Sequence, residues 1–312
     1  MPLKIVFMGT PDFAIAPLHA LVRAGHSIVR VYTQPDKPKG RGKKIQAPAV
    51  KEAAISLGIP VFQPSSMKED AIFEDLSDLA PDLFVVVAYG HILEERILNI
   101  PKLGAVNIHA SLLPKLRGAA PIQWAIARGE KETGVTTMLM DAGMDTGDIL
   151  LKKAIPIEER DTAESLHDKL SVLGAELILK TITGLEKKEI VPVKQDASQA
   201  SYAPILKKAH GKIDWQKSAE EIDAQIRGMT PWPGAFALLH GEPLKIFDAL
   251  PVKADSEGLL PGTVLPASSG TLLVATGKNA LMITSLQGSS GKRLKAADYL
   301  RGKPIAPGTV FS

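Results

Sequence analysis

Residues 82–90 read DLFVVVAYG, and residues 104–111 read GAVNIHAS. Each stretch is a short apolar run that ends in glycine or polar residues, which is typical of a strand buried on both faces. The run KIVFMG at residues 4–9 has the same character. Strands of this kind occur in parallel sheets that helices cover on both sides. The three runs therefore predict an α/β fold.

The segments between these runs have the spacing of amphipathic helices. PDFAIAPLHALVRAG (residues 11–25) and APAVKEAAISLG (residues 47–58) both end at a glycine, and SIVRVYT (residues 27–33) lies between them as a further strand. Strands and helices alternate in this way up to about residue 150. The alternation predicts a Rossmann-like, doubly wound, mostly parallel sheet.

Functional sites in open α/β sheets lie beyond the carboxyl ends of the strands. This rule places Gly9, Tyr89-Gly90 and Asn107-His109 along one rim. The turn after Gly9 lacks the further glycines that let a backbone approach a pyrophosphate, so the sequence argues against NAD binding.

The second half of the chain changes character twice. A long helix is predicted from Asp161, because Asp161 and Glu164 have the spacing of a capping box. Residues 191–208 lose helical periodicity, and short strand-like runs separated by turn residues follow them. These runs predict a small OB-like β-barrel. The expected domains are an α/β domain at 1–190, a linker at 191–208 and a barrel at 209–312.

Composition narrows the class of protein. The chain has 312 residues, a net charge of +3 and no cysteine, which excludes disulfides, thiolate metal sites and cysteine nucleophiles. It has no signal-peptide pattern and no apolar run long enough to cross a bilayer. We expect a cytoplasmic monomer without a membrane partner.

Asn107 and His109 project from the same face of one predicted strand, and Asp145 in a glycine-flanked loop is able to reach them. The set has no nucleophile, and one imidazole, one carboxylate and one amide make a weak metal site, so no metal is expected. An imidazolium held by a carboxylate, together with an amide N–H, is suited to stabilise an oxyanion. Spacing alone leaves a purely structural role for each of the three residues open.

The stretches NIHASLLPKLRGAAPIQWAI (residues 107–126) and MDAGMDTGDIL (residues 140–150) closely resemble the folate-dependent formyltransferase family. The resemblance implies that Asn107, His109 and Asp145 are catalytic and that 10-formyltetrahydrofolate is the formyl donor. It also implies a folate-binding loop, formed by Ser111, Leu112, Leu113 and Pro114.

Other features bear on the formyl acceptor. Residues 34–51 form a basic insertion in which Arg41, Lys43 and Lys44 are suited to bind a phosphate backbone, although such a charge run is usually only solvated. Residues 200–215 and 229–236 resemble the domain junction of family members that formylate methionyl initiator tRNA. This resemblance implies the same acceptor here, with residues 1–190 as the catalytic domain and the barrel at 209–312 as the tRNA-binding domain.

The accessory residues of the C-terminal half have less specific interpretations. We expect Trp215, Trp232 and Phe236 to belong to the core. The basic residues Lys207, Lys208 and Lys212 are expected to be simple surface charge. The alternatives that remain are transfer to a small amine such as glycinamide ribonucleotide or an amino sugar, hydrolysis of formyltetrahydrofolate, and an RNA-binding protein whose enzyme domain is inactive.

Overall fold

The computed structural model describes residues 2–39, 44–254, 258–289 and 291–312. The chain packs into two units. The first contains Met1–Gly118, Thr133–Ile155 and His167–Tyr202, and the second contains Ala119–Glu132, Pro156–Leu166 and Ala203–Ser312. Two stretches of the N-terminal half therefore pack with the C-terminal half. The domain limits of 1–190, 191–208 and 209–312 stay a prediction.

The N-terminal part of the chain alternates strands and helices as the sequence predicts. In chain order the elements are β1 (Lys4–Gly9), α1 (Ile15–Arg23), β2 (Ser27–Tyr32), β3 (Lys37–Lys39), β4 (Lys44–Gln46), α2 (Ala49–Ser56), β5 (Val61–Phe62), α3 (Asp70–Asp78), β6 (Leu83–Val87), α4 (Glu95–Leu98), β7 (Ala105–His109), α5 (Pro121–Ala127), β8 (Glu132–Leu139), β9 (Ile149–Pro156) and α6 (Ala163–Glu186).

One sheet orders its strands as β5-β2-β1-β6-β7-β8-β9. β1 pairs in parallel with β2 and with β6, and β6 pairs in parallel with β7. The pair β7–β8 is antiparallel. The prediction of a mostly parallel, Rossmann-like sheet is confirmed. The centre of the sheet is apolar on both faces, and β6 is buried along its whole length.

The carboxyl ends of three neighbouring strands meet at one rim. Gly9 lies opposite Val87, and Val86 lies opposite Asn107. The hydroxyl of Thr10, directly after β1, donates a hydrogen bond of 2.8 Å to the carbonyl of Tyr89, two residues after the end of β6. The chain therefore has the rim that the sequence predicts, and it lies where the strand order reverses.

The start of α6 differs from the prediction by one residue. Thr162 and Ser165 exchange bonds, the Thr162 amide to the Ser165 hydroxyl at 3.0 Å and the Ser165 amide to the Thr162 hydroxyl at 3.2 Å. The predicted pair of Asp161 and Glu164 is therefore wrong. Thr162 directly precedes the first helical residue, Ala163, and is the position from which a side chain reaches the free amides of the first turn.

The C-terminal part is built on an antiparallel sheet. Its elements are α7 (Ala219–Met229), β10 (Ala235–Leu239), β11 (Glu242–Val252), β12 (Leu272–Ala275), β13 (Ala280–Gln287), β14 (Leu294–Lys295) and α8 (Ala296–Gly302). The strands follow the order β10-β11-β13-β12, and β14 pairs with β13. Apolar residues of α7, among them Ile222 and Ile226, share a buried core with Ile246 and Leu281 of the sheet.

Two irregular segments close this sheet into a barrel. The amide of Gly262 donates to the carbonyl of Ala275 in β12, and the amide of Val264 donates to Thr309. Ser312 and Leu238 in β10 exchange amide-to-carbonyl bonds of 3.0 and 2.6 Å. Hydrogen bonds therefore run from β12 through the segments near Gly262 and Ser312 back to β10. This ring agrees with the predicted OB-like barrel.

Among the residues that the structure describes, no helix combines the length and the apolar character needed to cross a membrane.

Candidate active site

His109 is the last residue of β7. The register opposes it to Thr136 of β8, and it opposes Asn107 to Met138 of β8 and to Val86 of β6. Because side chains alternate along a strand, Asn107 and His109 project from the same face. His109 is buried and Asn107 is half-buried. The end of the strand thus presents an imidazole and an amide side by side.

The imidazole of His109 is anchored through one nitrogen. Its Nε2 atom lies 3.0 Å from the carbonyl oxygen of Leu116. A carbonyl only accepts hydrogen bonds, so Nε2 carries a hydrogen and donates it. This bond fixes both the orientation of the ring and the tautomer of its neutral form.

The carboxylate of Asp145 lies against the other ring nitrogen. Its Oδ1 atom is 3.6 Å from His109 Nδ1, and its Oδ2 atom accepts a hydrogen bond of 2.7 Å from the amide of Gly118. A separation of 3.6 Å is too long for a hydrogen bond but short enough for an ion pair. Both side chains are largely buried, with 7% and 17% of their surface exposed, so solvent screens the pair weakly.

Asn107 makes no side-chain hydrogen bond to the described part of the chain. Its amide therefore keeps both N–H donors and its acceptor for another molecule. The site brings together an anchored imidazole, a charged partner and an uncommitted amide. All three residues that the sequence singled out lie at this rim.

The loop after β7 is held by residues of β8 and β9. The Thr136 hydroxyl donates to the Ser111 carbonyl at 2.7 Å and accepts from the Leu113 amide at 3.1 Å. Lys152 donates to the Leu113 carbonyl at 3.1 Å. Ser111 and Leu113 are buried, whereas Leu112 and Pro114 are half-buried. Ser111 and Leu113 set the shape of the loop, and Leu112 and Pro114 give the loop a partly exposed apolar surface.

The Asp145 loop depends on close backbone packing. Asp145 itself has a left-handed backbone with φ of 53°, which costs a non-glycine residue about 1 kcal/mol. A Cβ atom at Gly147 would stand 1.7 Å from the carbonyl oxygen of Leu139. Asp141 accepts from the Gly143 amide at 3.0 Å and from the Thr146 hydroxyl at 2.7 Å. The glycines of the DAGMDTGD stretch thus allow the turn that carries Asp145.

Sequence reasoning missed several residues that shape this site. Leu116 and Gly118 act through backbone atoms, which no side-chain pattern reveals. Ser201 fixes the backbone of this segment: its hydroxyl accepts from the Leu116 amide at 3.0 Å, and its carbonyl accepts from the Arg117 amide at 2.8 Å. Gln195 contacts the Asp145 loop directly. Ser201 and Gln195 lie in the stretch predicted to be a linker, and no periodicity marks them.

The basic insertion contains a short hairpin of β3 and β4. Its base is held by Asp36, whose carboxylate accepts from Lys51 at 2.8 Å and from Gln63 at 2.7 Å. The pKa of Asp36 lies below its ordinary value, mainly because of the hydrogen bond from Gln63 and next because of that from Lys51. Next to the hairpin is a cavity of about 340 Å³, whose lining includes Thr10 and Lys37.

The basic residues predicted to bind RNA are only partly covered by the described ranges. Arg41 and Lys43 lie outside the described residues. Lys44 begins β4, where its backbone pairs with Lys39. Their contribution to binding therefore stays a prediction.

The accessory aromatic residues divide into two groups. Trp215 is buried in the barrel core, as predicted, and Phe236 is half-buried. The prediction for Trp232 is wrong, because 53% of its surface is exposed. Pro231 and Pro233 flank it in the short connection between α7 and β10, where no strand or helix turns the ring inward. The three lysines predicted to be surface charge, Lys207, Lys208 and Lys212, are all exposed.

Comparison with known proteins gives two family matches. Residues 3–182 match the family model described as formyl transferase, and residues 205–304 match the one described as formyl transferase, C-terminal domain. The chain is 52% identical over 308 residues to a methionyl-tRNA formyltransferase of Pelobacter propionicus, covering 99% of this chain and 96% of that protein. It is 50% identical over 309 residues to a protein of the same name from Trichlorobacter lovleyi, with the same coverage.

A solved structure shows the same fold at low identity. The N-formyltransferase of Helicobacter canadensis, in complex with folinic acid and dTDP-3-aminofucose, superimposes with a TM-score of 0.69 at 20% identity. The match covers 94% of this chain and 100% of that one.

The packing at Gly147 generates a stability prediction. Gly147→Ala forces a methyl group against the Leu139 carbonyl, so the turn must shift and the free energy of unfolding should fall by about 1–3 kcal/mol. Urea unfolding followed by circular dichroism measures this change. The matched control is Gly302→Ala, because no described atom beyond the adjoining residues and the backbone of its own helix lies within 4 Å of a Cβ there. An unchanged urea midpoint for Gly147→Ala would show that the close approach is absent in solution.

Proposed function

Because the chain belongs to the formyl transferase family, we propose that it transfers the formyl group of 10-formyltetrahydrofolate to the α-amine of methionyl initiator tRNA. Similarity to the named relatives extends over nearly the whole chain and includes the C-terminal part. The observation that carries the chemistry is the imidazole of His109, anchored by Leu116 and paired with Asp145 beside the free amide of Asn107.

The proposed reaction is an acyl transfer between two nitrogens. The methionine amine, as its free base, attacks the formyl carbon and forms a new C–N bond, and the carbonyl oxygen becomes an oxyanion. Collapse of this intermediate breaks the bond from the formyl carbon to N10. The amine loses one proton and N10 gains one, so the reaction needs no other reactant. The site must therefore stabilise negative charge on oxygen and move a proton.

The three polar residues fit these two tasks. A protonated His109 donates from Nδ1, which makes no hydrogen bond to the described residues, and the Asn107 amide supplies a second donor on the same face. Asp145 stabilises the charge on the ring from 3.6 Å. It also accepts the proton released by the amine, directly or through water, and returns it to N10. The Leu116 carbonyl keeps the ring oriented throughout.

We assign the folate to the loop of Ser111, Leu112, Leu113 and Pro114. The half-buried faces of Leu112 and Pro114 offer apolar contact to a flat ring system. Ser111 and Leu113 are committed to hydrogen bonds within the protein, so their role is to keep the loop in place. The loop also leads directly to Leu116 and therefore couples donor binding to the anchoring of His109.

We assign the acceptor end of the tRNA to the basic insertion. Arg41, Lys43 and Lys44 supply positive charge for phosphates, and Asp36, Lys51 and Gln63 tie the base of the hairpin to the catalytic unit. The barrel and its surface lysines supply further contacts to the tRNA. The enzyme works as a cytoplasmic monomer in this proposal.

Replacement of the imidazole tests the chemical role. His109→Ala removes an oxyanion donor, so kcat should fall at least about 100- to 1,000-fold, with KM for both substrates little changed. The measurement is formylation of methionyl initiator tRNA from 10-formyltetrahydrofolate, with glycinamide ribonucleotide and water as competing acceptors. His19→Ala, a half-buried histidine away from the rim, is the control. Wild-type turnover by His109→Ala would rule out the polarising role. Preferred transfer to glycinamide ribonucleotide would rule out methionyl initiator tRNA as the acceptor.

Replacement of one cation tests the tRNA assignment. Arg41→Ala removes one phosphate contact, so KM for the tRNA should rise about tenfold while kcat stays the same. The slope of log KM against log salt concentration should decrease by about one. Initial rates at several salt concentrations measure both effects. Lys187→Ala, an exposed cation at the end of α6, is the charge-matched control. Unchanged KM and salt dependence would leave the insertion with no part in tRNA binding.

A further inference from the structure

The side chain of Gln195 joins two arms of the candidate site. Its Nε2 atom donates to the carbonyls of Asp145 and Gly147, each at 2.8 Å. Its Oε1 atom accepts from Arg117, from Nε at 3.1 Å and from Nη2 at 2.8 Å. One amide thus connects the loop that carries Asp145 with the chain that follows the folate loop.

The hydrogen-bond partners fix the orientation of this amide. A guanidinium only donates and a carbonyl only accepts, so the oxygen must face Arg117 and the nitrogen must face the loop. Both N–H groups and the oxygen are then fully used. Arg117 is buried, with 4% of its surface exposed, so loss of its acceptor would leave a charged group poorly compensated. No other residue type offers two donors and an acceptor at this reach.

The two arms hold opposite sides of the catalytic pair. The Asp145 loop presents the carboxylate from a left-handed backbone position. The arm of residues 116–118 presents the Leu116 carbonyl to His109 Nε2 and the Gly118 amide to Asp145 Oδ2. A shift of either arm changes the distance between Asp145 and His109. The Gln195 amide bonds to both arms, in addition to the direct bond from the Gly118 amide to Asp145.

We propose that Gln195 is a positioning residue, which sets the separation of Asp145 and His109 by holding the 145–147 and 116–118 segments together. Gln195 touches neither ring nor carboxylate, so it acts on the reaction only through Asp145 and His109. The inference rests on the proposed function, because it requires that this pair is catalytic. Gln195 thus contributes to catalysis, although it lies in the stretch predicted to be a linker.

The variant Gln195→Glu separates the two sides of the amide. Its carboxylate still accepts from Arg117, but it has no N–H for the Asp145 and Gly147 carbonyls and repels them. Because a displacement of about 1 Å at a reacting group costs about 100-fold in rate, kcat should fall by about that factor while KM for both substrates changes little. Gln199→Glu is the matched control, since Gln199 is exposed and its side chain, within the part of the chain that the structure describes, bonds only to Asp196.

A double-mutant cycle with Asp145→Asn separates positioning from a structural role. If Gln195 acts through Asp145, Gln195→Glu should lower kcat by less than about threefold in the Asp145→Asn background. Full multiplication of the two losses would overturn the proposal. Gln195→Ala is measured in the same cycle and decides by the same criteria if Gln195→Glu does not fold, as judged by its thermal unfolding.

The two hypotheses fail in different ways. If Asp145→Asn strongly lowers kcat while Gln195→Glu and Gln195→Ala keep wild-type kcat, the positioning role is wrong and the proposed function stands. If Asp145→Asn itself turns over like the wild-type enzyme, the proposed catalytic pair is wrong and the inference falls with it. The assay in each case is formylation of methionyl initiator tRNA by the full chain.

Discussion

The hydrogen bond from His109 Nε2 to the Leu116 carbonyl is the constraint on which the rest of the site depends. It uses a backbone atom, which cannot change its protonation, to fix the ring at the end of a buried strand. The other nitrogen is left facing Asp145 at 3.6 Å, close enough for charge stabilisation and too far to be saturated. When the ring is protonated, Nδ1 becomes a donor that is oriented but not occupied, which the proposed stabilisation of an oxyanion requires.

The sheet fixes the strand, and the loops then complete the site. Parallel pairing of β1, β6 and β7 brings their carboxyl ends to one rim. The Asp145 loop and residues 116–118 approach this rim from separate parts of the chain, and Gln195 and Ser201 hold them there. The geometry of the candidate site is therefore a product of long-range contacts between irregular segments, built on a regular sheet.

Sequence reasoning succeeded where local physics decides the outcome. Apolar runs and glycine stops predicted β1, β6 and β7, and side-chain alternation put Asn107 and His109 on one face. It failed where distant backbone atoms decide, since neither the Leu116 carbonyl nor the Gly118 amide has a signature in the sequence. Gln195 lies in a polar stretch without periodicity. Trp232 was misjudged because hydrophobicity alone does not reveal that it lies exposed in the connection between α7 and β10.

The tautomer of His109 tests the central claim most directly. In the full chain labelled with ¹⁵N-histidine, the signals of the His109 ring nitrogens are assigned by their loss in His109→Ala, because the chain has seven histidines. At a pH where the ring is neutral, the account predicts a proton on Nε2 and a bare Nδ1, since the Leu116 carbonyl is only an acceptor. A neutral ring with its proton on Nδ1 would contradict the anchoring bond and the orientation of the donor derived from it.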